Sequence, residues 1–201
     1  SQALHQNSSI ILNLSLGGSG ACSVTYQNAI NDIRGAGAVI VVAAGNSAAN
    51  ASGFRPGNCN GVITVAATDR HGDLSWYSNY GSTIEISAPG GDTFFNDGDG
   101  ILSTLNAGLQ GPGADSLAFY QGTSMAAPHV AGLVSLMLGY QPDLTPDEVL
   151  DLLQSTARAF PNGSSCSPSL CGPGFADASA ALSALEGPLT APGLIAPPAA
   201  A

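Results

Sequence analysis

The fold is decided by the stretch Val39-Ile40-Val41-Val42-Ala43-Ala44-Gly45-Asn46. Its uninterrupted apolar run has the length of a strand that is buried on both faces, and the Gly-Asn pair ends it. Similar apolar runs occur at Ile10–Leu14 and Val62–Ala66. Residues 24–34, which lie between the run at Ile10–Leu14 and the run that starts at Val39, have a helical apolar face. Buried strands separated by a helix predict a three-layer α/β fold with a mostly parallel sheet.

The composition supports a sizeable buried core. Hydrophobic residues make up 44% of the chain and charged residues only 9%, a balance that argues against disorder. The formal net charge is −10, which argues against nucleic acid and anionic membranes as partners because both select positive surface. No apolar run approaches the roughly 20 residues that a membrane helix needs.

The second half of the chain is predicted to be helical. Residues 124–139 are apolar almost all round, which is typical of a buried helix. A capping box, Thr145-Pro146-Asp147-Glu148, opens a helix that we expect to reach about Ala157. Residues 176–185 form a last short helix. We therefore place one domain at residues 1–186, followed by a Pro/Ala-rich tail or linker at residues 187–201.

One segment, Gly122-Thr123-Ser124-Met125-Ala126-Ala127-Pro128-His129-Val130-Ala131-Gly132, places a serine at the start of this buried helix. The unpaired amides and the positive dipole of a helix N-terminus favour negative charge that develops beside Ser124. Taken alone, a serine at this position is more often a simple helix cap.

This segment resembles the nucleophile motif of the subtilisin family of serine proteases. Other segments resemble further family motifs, in the family's order, so that the resemblance covers roughly residues 10–186: Leu14–Gly18 (LSLGG), Ala43–Asn46 (AAGN), Ser87–Gly90 (SAPG) and Gly172–Ala178 (GPGFADA). The resemblance implies the subtilisin-like fold and a partial peptidase catalytic domain at residues 1–186.

The resemblance also implies a role for individual residues. Ser124 would attack the peptide carbonyl, while the Asn46 side chain and the Ser124 amide would hold the oxyanion. The implied substrate-binding residues are Ser15, Leu16, Gly17, Ala44 and Gly45, with Phe54 near the base of the specificity pocket. Apart from the resemblance, Asn46 and Gly17-Gly18 read as ordinary turn residues.

The sequence departs from the family pattern in one respect. The family's catalytic Asp and His motifs lie upstream of the LSLGG-like segment, where only fourteen residues precede Ser15 and neither motif occurs. His5 has no following glycine, His71 lies in a polar turn, and we expect His129 to be a core histidine that points away from Ser124. We therefore expect this chain to lack the Asp and the His, to be inactive alone, and to need the N-terminal part of the same protease as a partner.

The four cysteines match no zinc-ligand spacing, and they allow three disulfide pairings. Cys166 and Cys171 lie close together in a Ser/Pro/Gly-rich loop, which favours a local bridge and leaves Cys22 to pair with Cys59. The alternative is four buried free thiols.

An acidic loop at residues 91–100 contains Asp92, Asp97 and Asp99 between glycines. Carboxylate and carbonyl oxygens suit calcium, although this loop is not an EF-hand, and the resemblance implies that structural calcium is common in the family. A solvated acidic turn is the alternative. We expect no cofactor to be required for catalysis.

The function that these observations predict is a secreted serine endopeptidase that hydrolyses polypeptide substrates through an acyl-enzyme on Ser124. Two alternatives remain open, a pseudoprotease that binds peptides without cutting them and a secreted interaction module on the same scaffold. An α/β-hydrolase is excluded because the sequence contains no G-x-S-x-G elbow.

Overall fold

The computed structural model describes residues 10–186, so His5 and the tail at residues 187–201 lie outside the described residues. The strands are β1 (Ile11–Leu14), β2 (Gly18–Ser19), β3 (Val39–Ala43), β4 (Phe54–Arg55), β5 (Ile63–Thr68), β6 (Ile86–Pro89), β7 (Ile101–Asn106) and β8 (Asp115–Tyr120). The α-helices are α1 (Val24–Gly35), α2 (Thr123–Tyr140), α3 (Pro146–Ser155), α4 (Pro168–Cys171) and α5 (Ala178–Glu186).

The main sheet is parallel, as the apolar runs predicted. Its four strands lie in the order β1-β3-β5-β6. β3 lies in its middle, with Val41 aligned with Asn13 of β1 on one side and with Ile63 of β5 on the other. All five residues of β3 are buried, which explains why this strand carries no polar residue.

Helices cover both faces of this sheet. On one face Val39, Val41 and Ala43 belong to the core that α2 completes. On the other face Ile40 and Val42 pack with Ile30 of α1. Because successive side chains of a strand point to opposite faces, the apolar run of β3 supplies both cores and produces the three predicted layers.

The prediction that α2 is buried all round was wrong. Its inner face is buried, but Leu136 is 56% exposed and Tyr140 is 54% exposed. The apolar character of α2 therefore exceeds what the sheet covers, since within residues 10–186 only one side of this helix packs on the strands.

The capping prediction for α3 was correct, although the helix ends at Ser155 instead of Ala157. Thr145 Oγ1 accepts from the Glu148 amide at 3.3 Å, and Glu148 Oε2 accepts from the Thr145 amide at 2.8 Å. The hydrogen bonds that Glu148 Oε2 accepts from the Thr145 amide and from the Thr145 hydroxyl lower the pKa of the Glu148 carboxyl. The reciprocal bonds fix where the helix begins.

The structure contains both predicted disulfides, Cys22–Cys59 and Cys166–Cys171. The first joins the segment before α1 to the turn before β5, across 37 residues of sequence. Such a cross-link restricts the unfolded chain more than the folded one.

The short strands β2 and β4 and the strand β8 were not predicted, whereas the strand predicted at Ile101–Leu105 is present as β7. β2 pairs with β4, and β8 forms a hairpin with β7 on which Leu102, Leu117 and Phe119 are exposed. The apolar pattern Ile84-Glu85-Ile86 predicts a strand from Ile84, but β6 starts at Ile86, and α4 is a single short turn. Within residues 10–186, no helix combines the length and apolar character needed to cross a membrane.

Candidate active site

Ser124 is the second residue of α2 and is half-buried beside the segment that follows β1. Its Oγ lies 3.4 Å from the Ser15 carbonyl oxygen, and Ser15 Oγ donates to the Ser124 carbonyl at 3.0 Å. The Ser124 amide is one of the first four amides of α2, which have no acceptor within the helix. The hydroxyl and an amide of the same residue are therefore available at the start of one helix.

A proline in the motif explains the bond from Ser15. In an α-helix the Ser124 carbonyl would accept from the amide four residues later, but that residue is Pro128, which has no N–H. The Ser124 carbonyl is therefore free to accept from the Ser15 hydroxyl. This hydrogen bond replaces the missing helical one and joins α2 to the end of β1.

Asn46 lies directly beyond the end of β3, beside the start of α2. Its Oδ1 accepts from the Thr123 amide at 2.9 Å and from Thr123 Oγ1 at 2.8 Å. Because an amide N–H can only donate, these contacts identify the oxygen of the Asn46 side chain and leave its Nδ2 as a donor for a ligand. Gly122, at φ 147°, allows this approach: a Cβ there would lie 3.4 Å from Asn46 Nδ2.

Two supporting residues escaped the sequence analysis. Thr123 is fully buried and also accepts from the Gly45 amide through Oγ1 at 3.1 Å, so it binds both Asn46 and its neighbour. Thr123 lies inside the Gly122–Gly132 segment, so its position beside Ser124 was a signal that its hydroxyl could bind a neighbouring site residue.

The second is Asn79, which is fully buried and holds the loop that carries Asn46. Its Nδ2 donates to the Ala44 carbonyl at 2.8 Å, while its Oδ1 accepts from the amides of Ser47 at 2.9 Å and Ala49 at 3.2 Å. Gly45 has φ 104°, and a Cβ there would lie only 2.4 Å from Asn79 Nδ2, so glycine is required. No sequence signal marks Asn79.

The turn after β6 supports the start of α2. The Gly122 amide donates to the Gly90 carbonyl at 3.0 Å, and the hydroxyl of buried Tyr77 lies 3.0 Å from that oxygen and 2.6 Å from the Gly91 carbonyl. Burial raises the pKa of Tyr77 to about 12, so its hydroxyl remains a donor at any physiological pH. The SAPG-like segment is thereby connected to the nucleophile segment.

A cavity of about 570 Å³ lies against these groups. It is lined by every residue to which the sequence analysis gave a catalytic or substrate-binding role, and by Phe54: Ser15, Leu16, Gly17, Ala44, Gly45, Asn46 and Ser124. Segments up to 109 residues apart in sequence thus meet in one place.

Within residues 10–186, neither histidine is hydrogen-bonded to Ser124. His129 Nδ1 contacts the Met125 carbonyl at 2.8 Å, but the residue is exposed, so the expectation that it belongs to the core was wrong. The reason is that it lies on the uncovered side of α2. His71 is exposed in its turn, as expected. Among residues 10–186, the hydroxyl of Ser124 contacts the Ser15 carbonyl, and no side chain is placed to act as its general base.

The acidic loop does not form a cluster of carboxylates. Within residues 10–186, no group of three or more His, Cys, Asp or Glu side chains is placed to hold a metal ion. Asp99 forms an ion pair with Arg70 at 2.6 Å, and Asp92 accepts from the Phe94 amide at 3.0 Å. Calcium binding by Asp92, Asp97 and Asp99 stays a prediction, which thermal unfolding with and without calcium would check.

The chain is similar to proteases over most of its length. A sequence model of the subtilase family matches residues 1–177. An extracellular protease of Xanthomonas campestris is 50% identical over 179 residues, which are 89% of this chain and 29% of that protein. An extracellular basic protease of Dichelobacter nodosus is 40% identical over 91% of this chain and 29% of its own length. The chain therefore spans about three tenths of these curated relatives.

Solved structures agree with this likeness. A protease from Pseudoalteromonas arctica matches at a TM-score of 0.82 with 52% identity, over 87% of this chain and 51% of that one. A cold-adapted subtilisin-like serine proteinase matches at a TM-score of 0.65 with 30% identity, over 83% of this chain and 55% of that one. Family, fold and motif order coincide, and the chain belongs to the subtilase family of serine proteases.

Proposed function

We propose that this chain supplies the nucleophile, the oxyanion donors and the substrate-binding strand of a serine endopeptidase. The observation that carries the proposal is the arrangement around the cavity: Ser124 Oγ, the Ser124 amide and Asn46 Nδ2 all belong to groups that line it. The two hydrogen bonds from Thr123 orient Asn46 before any substrate arrives. Oxyanion donors that are fixed in advance need no reorganisation during the reaction.

The proposed reaction is acyl transfer. Ser124 Oγ bonds to the carbonyl carbon of the substrate while its proton passes to a base, and the carbonyl oxygen becomes an oxyanion held by Asn46 Nδ2 and the Ser124 amide. Collapse of this intermediate breaks the C–N bond, and the amine leaves with the proton. Water then attacks the ester in the same way and releases the acid and Ser124.

The base and its carboxylate partner are proposed to lie outside residues 10–186. No side chain among the described residues is placed to take the proton of Ser124, and an unactivated serine is a weak nucleophile. A subtilase of the length of the curated relatives has ample sequence in which to carry them. The remaining part of the same protease is thus a proposed partner of this chain.

We also propose that the protein is secreted. The two curated relatives described above are named extracellular proteases. All four cysteines are in disulfides, which form and persist in oxidising compartments.

The test is cleavage of a fluorogenic peptide library by the full-length protein, together with mass-spectrometric mapping of a fluorophosphonate label. We expect turnover, and we expect the label on Ser124. Ser124→Ala should abolish both, whereas the control Ser135→Ala, on the exposed side of the same helix, should change neither. Cleavage that survives Ser124→Ala contradicts the proposal.

The same assay separates the alternative function. A peptide-binding protein without catalysis, which the missing base among residues 10–186 favours, would bind library peptides with neither turnover nor label. Equilibrium binding to the Ser124→Ala variant then gives the same affinity as binding to the unaltered protein.

A further inference from the structure

Within the described part of the chain, one ionisable residue lines the cavity beside Ser124. That residue is Arg55 of β4, and no aspartate or glutamate among residues 10–186 lines the cavity with it. This is unusual for a chain with a formal net charge of −10 and only four arginines and lysines together. A positively charged residue therefore lies beside the candidate site of a protein that is otherwise strongly acidic.

The strand pairing determines where this cation lies. β4 pairs antiparallel with β2, so that Arg55 is opposite Gly18 and Phe54 is opposite Ser19. Neighbouring residues of a strand project to opposite faces. Phe54 faces Gly45, where a Cβ would lie 3.8 Å from its ring, and this leaves Arg55 on the other face of the ribbon.

The guanidinium lies above the segment that follows β2. A Cβ on Gly20 would be 3.4 Å from both Cζ and Nη1 of Arg55, and Cζ is 6.0 Å from the centre of the Tyr26 ring. Gly20 comes five residues after Ser15, which contacts Ser124. At about 3.3 Å per residue, an extended chain of that length spans at most about 16 Å.

Among residues 10–186, no ion pair neutralises the charge of Arg55. The described residues contain two ion pairs, Arg34–Asp147 and Arg70–Asp99, and neither includes Arg55. Its side chain is exposed, and its guanidinium lies over the face of the Tyr26 ring, which interacts with it only weakly. The five N–H donors of a guanidinium suit a carboxylate, which can accept two of them at once.

We propose that Arg55 makes this site prefer substrates with an aspartate or glutamate about three to five residues from the scissile bond. The acidic residue lies on the side of the bond that pairs with Ser15–Gly17, because that segment leads from Ser124 towards Gly20. This inference rests on the proposed function and adds the substrate class to it. Arg55 is a specificity-determining residue and takes no part in bond cleavage.

The expected preference is modest because the guanidinium is exposed. An exposed pair of opposite charges, strengthened by two hydrogen bonds, corresponds to roughly a two- to tenfold difference in kcat/KM. The preference should shrink in 1 M salt, where the screening length falls to about 3 Å. A purely steric role for Arg55 would not depend on salt.

The experiment uses the full-length protein and peptides that carry glutamate, glutamine or lysine at each of five positions on either side of one cleavable bond. Glutamine matches glutamate in shape, so the ratio of kcat/KM between the two reports charge. We expect a ratio above two at one position on the Ser15–Gly17 side. Arg55→Gln should bring that ratio to about one, and Arg55→Glu should reverse the preference towards a lysine peptide.

Arg70→Gln is the matched control, because it removes the same charge from an arginine that does not line this cavity. It should leave the ratio unchanged. A ratio of one at every position, or an equal ratio at all positions, overturns the inference while cleavage itself persists. Failure to cleave any peptide instead contradicts the proposed function, so the two failures are distinguishable.

Discussion

Two loops leave the same edge of the parallel sheet, and they are built differently. The loop at residues 45–49 follows β3 and carries Asn46, whereas the acidic loop at residues 91–100 follows β6. The first is held by side chains 30 or more residues away in sequence, Asn79 and Thr123. In the second, Asp92 and Asn96 each accept from an amide two residues later, and Phe95 is 92% exposed.

The two loops also differ in backbone strain. The loop after β3 contains Ala48 at φ 49°, a conformation that a non-glycine residue rarely adopts, and Gly45 at φ 104°. Such strain persists only where surrounding contacts hold it, and here a buried asparagine does so. The acidic loop has mostly local bonds, which give it little reason to keep one arrangement of its carboxylates.

Removing the donor that the first loop presents should have the largest effect. Asn46→Ala in the full-length protein should lower kcat by about 10²–10³-fold, which is the range known for one oxyanion donor in subtilisin and not a value obtained from this geometry. KM should change little, because the donor acts mainly in the transition state. Steady-state kinetics measure both, and a rise in KM at constant kcat would contradict the assigned role.

Removing the residue that holds the first loop should chiefly affect stability. Asn79→Ala leaves the Ala44 carbonyl and the amides of Ser47 and Ala49 without their partner, and we expect about 2–3 kcal/mol less free energy of unfolding. Urea denaturation measures it. Asn96→Ala, the matched change in the acidic loop, should cost less than about 1 kcal/mol because its bond is local and exposed. Equal losses would break the comparison.

A smaller change tests whether orientation of Asn46 matters by itself. Thr123→Val keeps the shape and the backbone amide but removes the hydroxyl that binds Asn46 Oδ1 and accepts from Gly45. We expect roughly a tenfold loss of kcat, equivalent to one hydrogen bond of about 1.4 kcal/mol. Kinetics at matched folded concentration, checked by circular dichroism, would show it, and unchanged kcat would mean that the Thr123 amide alone orients Asn46.

The turn after β5 adds a third loop at this edge and gives the smallest effect. The Ser165 amide donates to the Asp73 carboxylate at 2.7 Å. This hydrogen bond is the largest cause of the lowered pKa of Asp73, which lies below 3.8. The carboxylate therefore contributes stability that is present above pH 3.8 and is lost as pH falls through the lowered pKa. Melting temperatures between pH 2 and 7 should show that Asp73→Asn destabilises at neutral pH and that the difference narrows in acid.

Much of the fold could be predicted because its signals are local. The apolar run of β3, the capping box of α3 and the pair Cys166–Cys171 each lie within a few residues, and each was correct. The prediction that α2 is buried all round was wrong because the sequence of an apolar helix does not indicate which neighbours will cover it. β8 was missed because Asp115–Tyr120 is mostly exposed and lacks a buried pattern.

The candidate site divides in the same way. Ser124, Asn46 and Ser15 were found through motifs, and the structure brings them to one cavity. Asn79 could not be found, because its importance comes from bonds to backbone atoms 30 to 35 residues away, which leave no pattern in the sequence. The catalytic and binding roles of Ser124, Asn46 and Ser15 stay predictions until the variants above are measured.

The bond between Ser15 and Ser124 has a consequence for the timing of synthesis. These residues are 109 positions apart, and ribosomes add roughly 5–20 residues per second, so Ser15 leaves the ribosome roughly 5–20 s before Ser124. Throughout that interval the segment Ser15–Gly17, which is proposed to bind a peptide, has been synthesised but the hydroxyl of Ser124 has not. Under the proposed function, a nascent chain could cut no peptide until the helix that begins at Thr123 has been made and has docked.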